Sequence, residues 1–183
     1  DSSIVQPAAK VGALCSQYGA IFLLDTCQTI GQLPVDVRAL GCHFACGTGR
    51  KWLRGPRGTG FLFASTDVLH AGAGDREQLV DASHTRKMRP SSLSLLGEPP
   101  MLDHSAATWT TRSDYTLAAD ATRYEMWEKP EALRHGLAVA ASECASVGPE
   151  RIFERATGLA LRLREGLACI PGCVLRDAPP AFD

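Results

Sequence analysis

What this chain lacks narrows the field first. There is no excess of charge of either sign, with 19 basic residues against 20 acidic ones. A nucleic-acid binder, or a protein drawn to an anionic membrane surface, carries a basic field, and none is present. No apolar run is long enough to cross a bilayer, and the first residues show no signal-peptide pattern. A disulfide framework is missing too. The seven cysteines, an odd number, fall at irregular spacings and read as reduced thiols of a cytoplasmic or organelle-matrix protein. There is no internal repeat and no low-complexity tract. Gly55, Gly58 and Gly60 do not form a dinucleotide-binding turn, because their spacing and the strand that follows are wrong for one. What remains is 45% hydrophobic and 21% charged over 183 residues, the composition of an ordinary soluble globular protein able to bury a substantial core.

The informative stretch runs from Ala20 to Phe63. Ala20 to Leu24 is a short apolar run ending in Asp25, the pattern of a buried parallel strand that delivers a carboxylate at its C-terminal edge. Open α/β sheets bind ligands at that edge. Val35 to Gly41 reads as a short helix stopped by glycine, Cys42 to Cys46 as the next strand, and Phe61 to Ala64 as a third. Between the last two lie Thr48-Gly49-Arg50-Lys51 and Gly55-Pro56-Arg57-Gly58-Thr59-Gly60. Two strand ends therefore set an acid, Asp25, and an amine, Lys51, on one side of one sheet. An amine that acts as a nucleophile needs a depressed pKa, and Arg50, Arg54 and Arg57 are near enough in sequence to supply a positive field. A cofactor with a pyridine ring needs a carboxylate at its ring nitrogen, a role within the chemistry of Asp25.

Leu24-Asp25-Thr26-Cys27-Gln28, together with the lysine and glycine segments just quoted, closely resembles the class V aminotransferase family of pyridoxal-phosphate enzymes, which includes cysteine desulfurases, selenocysteine lyases and other C–S lyases. The resemblance implies an α/β, fold-type I architecture with a mixed, mostly parallel sheet. It also implies pyridoxal 5'-phosphate held by Lys51 as an internal aldimine, Asp25 at the pyridinium nitrogen, Gln28 at the ring oxygen and Thr48 at the phosphate. Arg50 stands where many members have histidine, and its implied contact is with the phosphate or ring. The implied substrate is a small amino acid and the implied assembly a homodimer. Desulfuration or C–S lysis is the leading expectation. Transamination, epimerisation and a non-catalytic remnant or interaction module are the alternatives.

Family chains are considerably longer, so the resemblance implies an internal piece, inactive alone. The phosphate-binding turn and ring-stacking residue are expected upstream of Asp1, and a carboxylate-binding arginine downstream of Asp183. Residues 1–145 are expected to belong to the large cofactor domain, and 146–183 to the connecting helix and the start of a small domain. Pro7 opens a helix with Ala8, Val11, Leu14, Cys15 and Tyr18 on its apolar face and Gly19 as its stop. Ser65 to Leu69 begins a short helix, Ala71 to Gly74 reads as a flexible turn, and 83–92 is a basic loop, either surface or active-site edge. Ser105 to Tyr115 reads as irregular with a short strand. Arg123-Tyr124-Glu125 matches the family's Arg-aromatic-Glu motif, but Met126, Trp127 and Glu128 replace the Gly-Thr that follows it, and a glutamate repels a phosphate where the family's threonine binds one. Arg123 is read as an anion anchor or as the partner of Glu125. Helices are expected from Pro130 to about Ser146 and from Pro149, then a strand at Cys173 to Leu175. Cys42, His43 and Cys46 do not share one strand face and suggest no metal site. Cys27 reads as a buried filler. His84 and His104 are left out of the catalytic set.

Overall fold

A computed structural model describes residues 5–74 and 96–176. The basic loop at 83–92, with His84, lies outside the described residues. A three-stranded mixed sheet is formed by β1 (Leu23–Asp25), β2 (Phe44–Thr48) and β3 (Gly60–Ala64), in that order. β1 and β2 run parallel, with Leu23 opposite Phe44 and Asp25 opposite Cys46. β2 and β3 are antiparallel, from Phe44 opposite Ala64 to Thr48 opposite Gly60. The α/β class with a mixed sheet is as the sequence implies.

α1 (Ala8–Tyr18) ends at Gly19, whose left-handed φ of 61° suits a residue without a Cβ. Through Gly12, its one buried residue, it meets the turn that precedes β2, where a Cβ would lie 2.0 Å from the Leu40 carbonyl oxygen. The expected apolar face is only partly covered among the described residues: Ala8 and Cys15 are half-buried or nearly so, while Leu14 and Tyr18 point outward. Helix and turn meet backbone to backbone, leaving no room for larger side chains between them.

The segment expected as a helix at Val35–Gly41 is a single turn instead. Asp36 Oδ1 accepts the N–H groups of Arg38 and Ala39 at 2.9 and 3.0 Å, and Gly41 closes the turn with φ 67°. So few residues between cap and stop cannot propagate a helix. Ala71 to Gly74, expected as a turn, continues α2 (Thr66–Gly74). Val68 and Leu69 of α2 join Phe44 and Ala64 in the core, with Ile21, Ala121 and Tyr124 packed against it. Phe44 and Tyr124 meet edge to face at 5.9 Å between ring centres.

β4 (Ala107–Trp109) and β5 (Tyr115–Leu117) form a hairpin where irregular chain with a short strand was expected. A 3₁₀ turn at Ala121–Tyr124 follows, capped by Asp120, whose carboxylate accepts the Thr122 N–H at 2.9 Å. Arg123 in that turn is 4% exposed. Its guanidinium donates to the carbonyls of Ala118 and Gly97, both at 2.8 Å, while Glu125 pairs with Lys129. Neither expected role for Arg123 is therefore seen: it ties three backbone segments together.

α3 (Glu131–Val147) and α4 (Pro149–Ala168) occupy the spans expected for them. The strand expected at Cys173 to Leu175 is not formed, and the chain there is irregular. A strand needs a neighbour to take its backbone groups, and among the described residues no strand pairs with this segment. No helix among the described residues is long and apolar enough to cross a membrane.

Candidate functional site

The acid is set at the end of β1 by a local knot of hydrogen bonds. Thr26, 1% exposed, donates both its backbone N–H and its hydroxyl to the Cys46 carbonyl, each at 2.7 Å, so the two strand ends are tied where the ladder stops. Asp25 Oδ1 accepts the Cys27 N–H at 2.7 Å, an Asx turn that fixes the carboxylate. The Cys27 thiol, then that N–H, hold the Asp25 carboxyl below its ordinary range, and the Lys51 charge acts in the same direction. The same bond to Asp25 raises Cys27. Cys27 is half-buried, and its backbone N–H is the group hydrogen-bonded to the acid.

The amine sits in a loop that folds back on itself. Gly49 N–H donates to Thr59 O at 2.9 Å, Gly55 N–H to Gly49 O at 2.8 Å, and Arg54 N–H to Lys51 O at 2.9 Å. The turn forces Arg54 into the left-handed region with φ 60°, uncommon for a residue with a side chain. Thr59 closes the far end by donating its hydroxyl to Pro56 O at 2.7 Å. α3 buttresses the loop from outside. Gly136 allows Pro56 to approach so closely that a Cβ there would fall 2.7 Å from the proline Cγ, and Leu137 Cδ1 reaches the surfaces of Gly49 and Gly55.

Along β2 the burial alternates: Ala45 and Gly47 are buried, while Cys46 and Thr48 are half-buried on the other face. Asp25 is registered with Cys46 on that second face. The face thus presents Asp25 and Thr48, with Lys51 just beyond the strand end. Asp25, Gln28 and Arg50 are exposed, and Thr48 and Lys51 are half-buried. The Thr48 hydroxyl makes only a long bond, 3.4 Å, to Thr59 O. Gln28 is tied to the lysine loop: Trp52 Nε1–H donates to Gln28 Oε1 at 3.3 Å, and Gln32 Nε2 donates to the Gln28 carbonyl at 2.5 Å. All five expected site residues therefore lie at one end of β1 and β2, Asp25 and Thr48 as the last strand residues and Gln28, Arg50 and Lys51 on the loops that follow. Sequence reasoning missed Trp52, Thr59, Gly136 and Leu137. Only Trp52 left a signal, as a donor-only side chain beside the lysine.

His43 serves structure: its Nδ1 accepts the Phe22 N–H at 3.1 Å. His104 lies away from the strand tips, beside Asp103 and 5.6 Å from the Trp127 ring. A cavity of about 470 Å³ opens between β3 and the 3₁₀ turn, lined by residues that include Phe61, Leu62, Asp120, Tyr124 and Glu125 and by neither Asp25 nor Lys51.

Solved structures of the same shape identify the fold. The cystine C–S lyase C-DES, in complex with its product cysteine persulfide, superposes with a TM-score of 0.71 at 22% identity, over 93% of this chain and 40% of its own. A C-DES variant solved with glycine covalently linked to its PLP cofactor superposes with a TM-score of 0.66 at 22% identity, over 91% and 38%. The fold is that of these fold-type I enzymes.

The sequence carries the assignment further. A probable cysteine desulfurase of Methanothermobacter thermautotrophicus is 48% identical over 64 residues, 35% of this chain and 16% of the relative. Probable cysteine desulfurase 2 of Mycobacterium leprae is 28% identical over 92% of this chain and 34% of its own length. The chain thus spans about a third or less of these relatives. The aminotransferase class-V family model matches residues 2–93, and the chain belongs to that family.

Proposed function

We propose that these residues are the lysine-bearing part of a pyridoxal-phosphate-dependent enzyme that acts on a small amino acid, by desulfuration or C–S lysis. The observation that carries the reading is the meeting, on one exposed strand-end face, of a carboxylate held ionised and a loop-mounted amine, in a family and fold whose relatives include cysteine desulfurases and a C–S lyase.

The donor set fits the cofactor group by group. Asp25, kept below its ordinary pKa by Cys27, stays anionic at neutral pH and holds a protonated ring nitrogen. Gln28 would donate its amide N–H to the ring oxygen. The Thr48 hydroxyl, lightly held at 3.4 Å, re-aims toward a phosphate, and the exposed Arg50 guanidinium adds its charge. The Lys51 amine would hold the cofactor's aldehyde end and, when free, would carry protons to and from the substrate carbon. When bound, the cofactor supplies the electron sink. The protein works as a homodimer in the cytoplasm, with 1–145 in the cofactor domain and 146–183 leading into a small domain. Turnover needs residues beyond these 183, so this chain alone is inactive. Glu128, in the place of the family's threonine, does not hold the second subunit's phosphate.

Mixing the protein with pyridoxal phosphate tests this. The expected result is a visible absorbance band in wild type that is absent in Lys51→Ala. A colourless wild type contradicts it and favours a non-catalytic remnant. With the complete polypeptide, sulfide release from cysteine, rather than a transaminated product, identifies the desulfurase branch.

A further inference from the structure

We propose that Trp52 is a positioning residue that fixes Gln28 as a hydrogen-bond donor toward the ligand of the Asp25–Lys51 face. The inference rests on the reading above, and it stands on geometry. An indole N–H can only donate, so the Gln28 atom that meets Trp52 Nε1 at 3.3 Å is the amide oxygen. The amide –NH₂ is then the group left to face the site. A free glutamine presents either end of its amide, and one locked in this way favours an anionic or carbonyl oxygen over a donor. For a pyridoxal ring, the matching group is the ring oxygen.

The backbone makes the lock local. Gly31 lies so close to the lysine loop that a Cβ would fall 2.5 Å from Trp52 C and 2.6 Å from Leu53 N. Its φ of 91° belongs to the left-handed region. Gln32 Nε2 holds the Gln28 carbonyl at 2.5 Å. The loop after β1 and the loop after β2 therefore abut through backbone, and Trp52, 47% exposed and next to Lys51, spans the seam with its N–H. One hydrogen bond thus links the orientation of the amide to the loop that carries the amine.

A double-mutant cycle tests the proposal. Trp52→Phe keeps the ring and removes the donor, and its affinity for pyridoxal phosphate should fall about three- to tenfold, the worth of one ordinary hydrogen bond. Gln28→Leu should weaken binding by at least as much. If Trp52 acts through Gln28, adding Trp52→Phe to Gln28→Leu changes affinity by less than about twofold, whereas independent roles multiply. Additive losses, or no loss in Trp52→Phe alongside a clear loss in Gln28→Leu, overturn the inference.

A second arm needs no cofactor. In ¹H–¹⁵N spectra, the indole resonance absent from Trp52→Phe should move in Gln28→Leu and stay in place in Gln28→Glu, whose carboxylate still accepts the N–H. Gln28→Glu has no donor to offer, so its cofactor affinity should fall as in Gln28→Leu. An indole resonance indifferent to Gln28→Leu overturns the inference even where cofactor binds. A wild type that never binds cofactor, with the indole response intact, overturns the functional reading instead.

Discussion

The loops at the ends of β1 and β2 and the helix α4 hold their shapes by different means. Among the described residues the loops bury two apolar side chains, Cys42 and Leu53, while backbone and hydroxyl hydrogen bonds close their turns and glycines bring their backbones together. α4, a helix of 20 residues, buries none of them: Leu159, Leu161 and Leu163 are 46%, 44% and 63% exposed. The contrast teaches that the candidate site is shaped by its own backbone bonding. Changes in the loops should therefore be felt strongly and changes on α4 weakly.

The largest effect is expected from Gly31→Ala. A methyl group there meets the Trp52–Leu53 backbone at about 2.5 Å, in a left-handed conformation that alanine resists. Denaturant melts should show a loss of about 3 kcal/mol or more. A loss under about 1 kcal/mol would mean that the loops are not in contact as described. Arg123→Met comes next. It strips donors from the carbonyls of Ala118 and Gly97 around a buried position, and should cost about 2–4 kcal/mol in the same measurement.

The acid limb is a smaller effect. Asp25 has a folded pKa below its ordinary value of 3.8, so its contribution is present above that value and is lost as pH falls through the folded pKa. Thermal melts from ~pH 5 down to ~pH 2 should show Asp25→Asn losing less stability on acidification than wild type, and equal slopes would deny the Cys27–Asp25 bonds their role. The smallest effect should come from Leu163→Ser on α4, within about 0.5 kcal/mol of wild type. A large loss there would show that α4 is covered in solution and would erase the contrast.

Much of this was legible in the sequence, and the parts that were not have physical reasons. Apolar runs ending in Asp25 and beginning after Gly60 located the strands, and Pro130 and Pro149 located the long helices, because strand burial and helix entry are local signals. The Val35–Gly41 and Cys173–Leu175 misreadings share a cause: a few residues of favourable pattern form neither helix nor strand unless length or a neighbour supports them. The site residues were readable as a chemical set. Their fastening was not, since the Trp52–Gln28 bond, the Gly136–Pro56 approach and the burial of Arg123 join positions 24, 80 and 26 residues apart, which only the fold brings together.

The central claim is that Lys51 is the amine that takes the cofactor. Incubating the protein with pyridoxal phosphate, reducing with borohydride and mapping the modified peptides by mass spectrometry tests it most directly. The expected result is a phosphopyridoxyl group on Lys51 at stoichiometric yield, with Lys10, Lys87 and Lys129 unmodified. Label spread evenly over the lysines, or absent from Lys51, would contradict it.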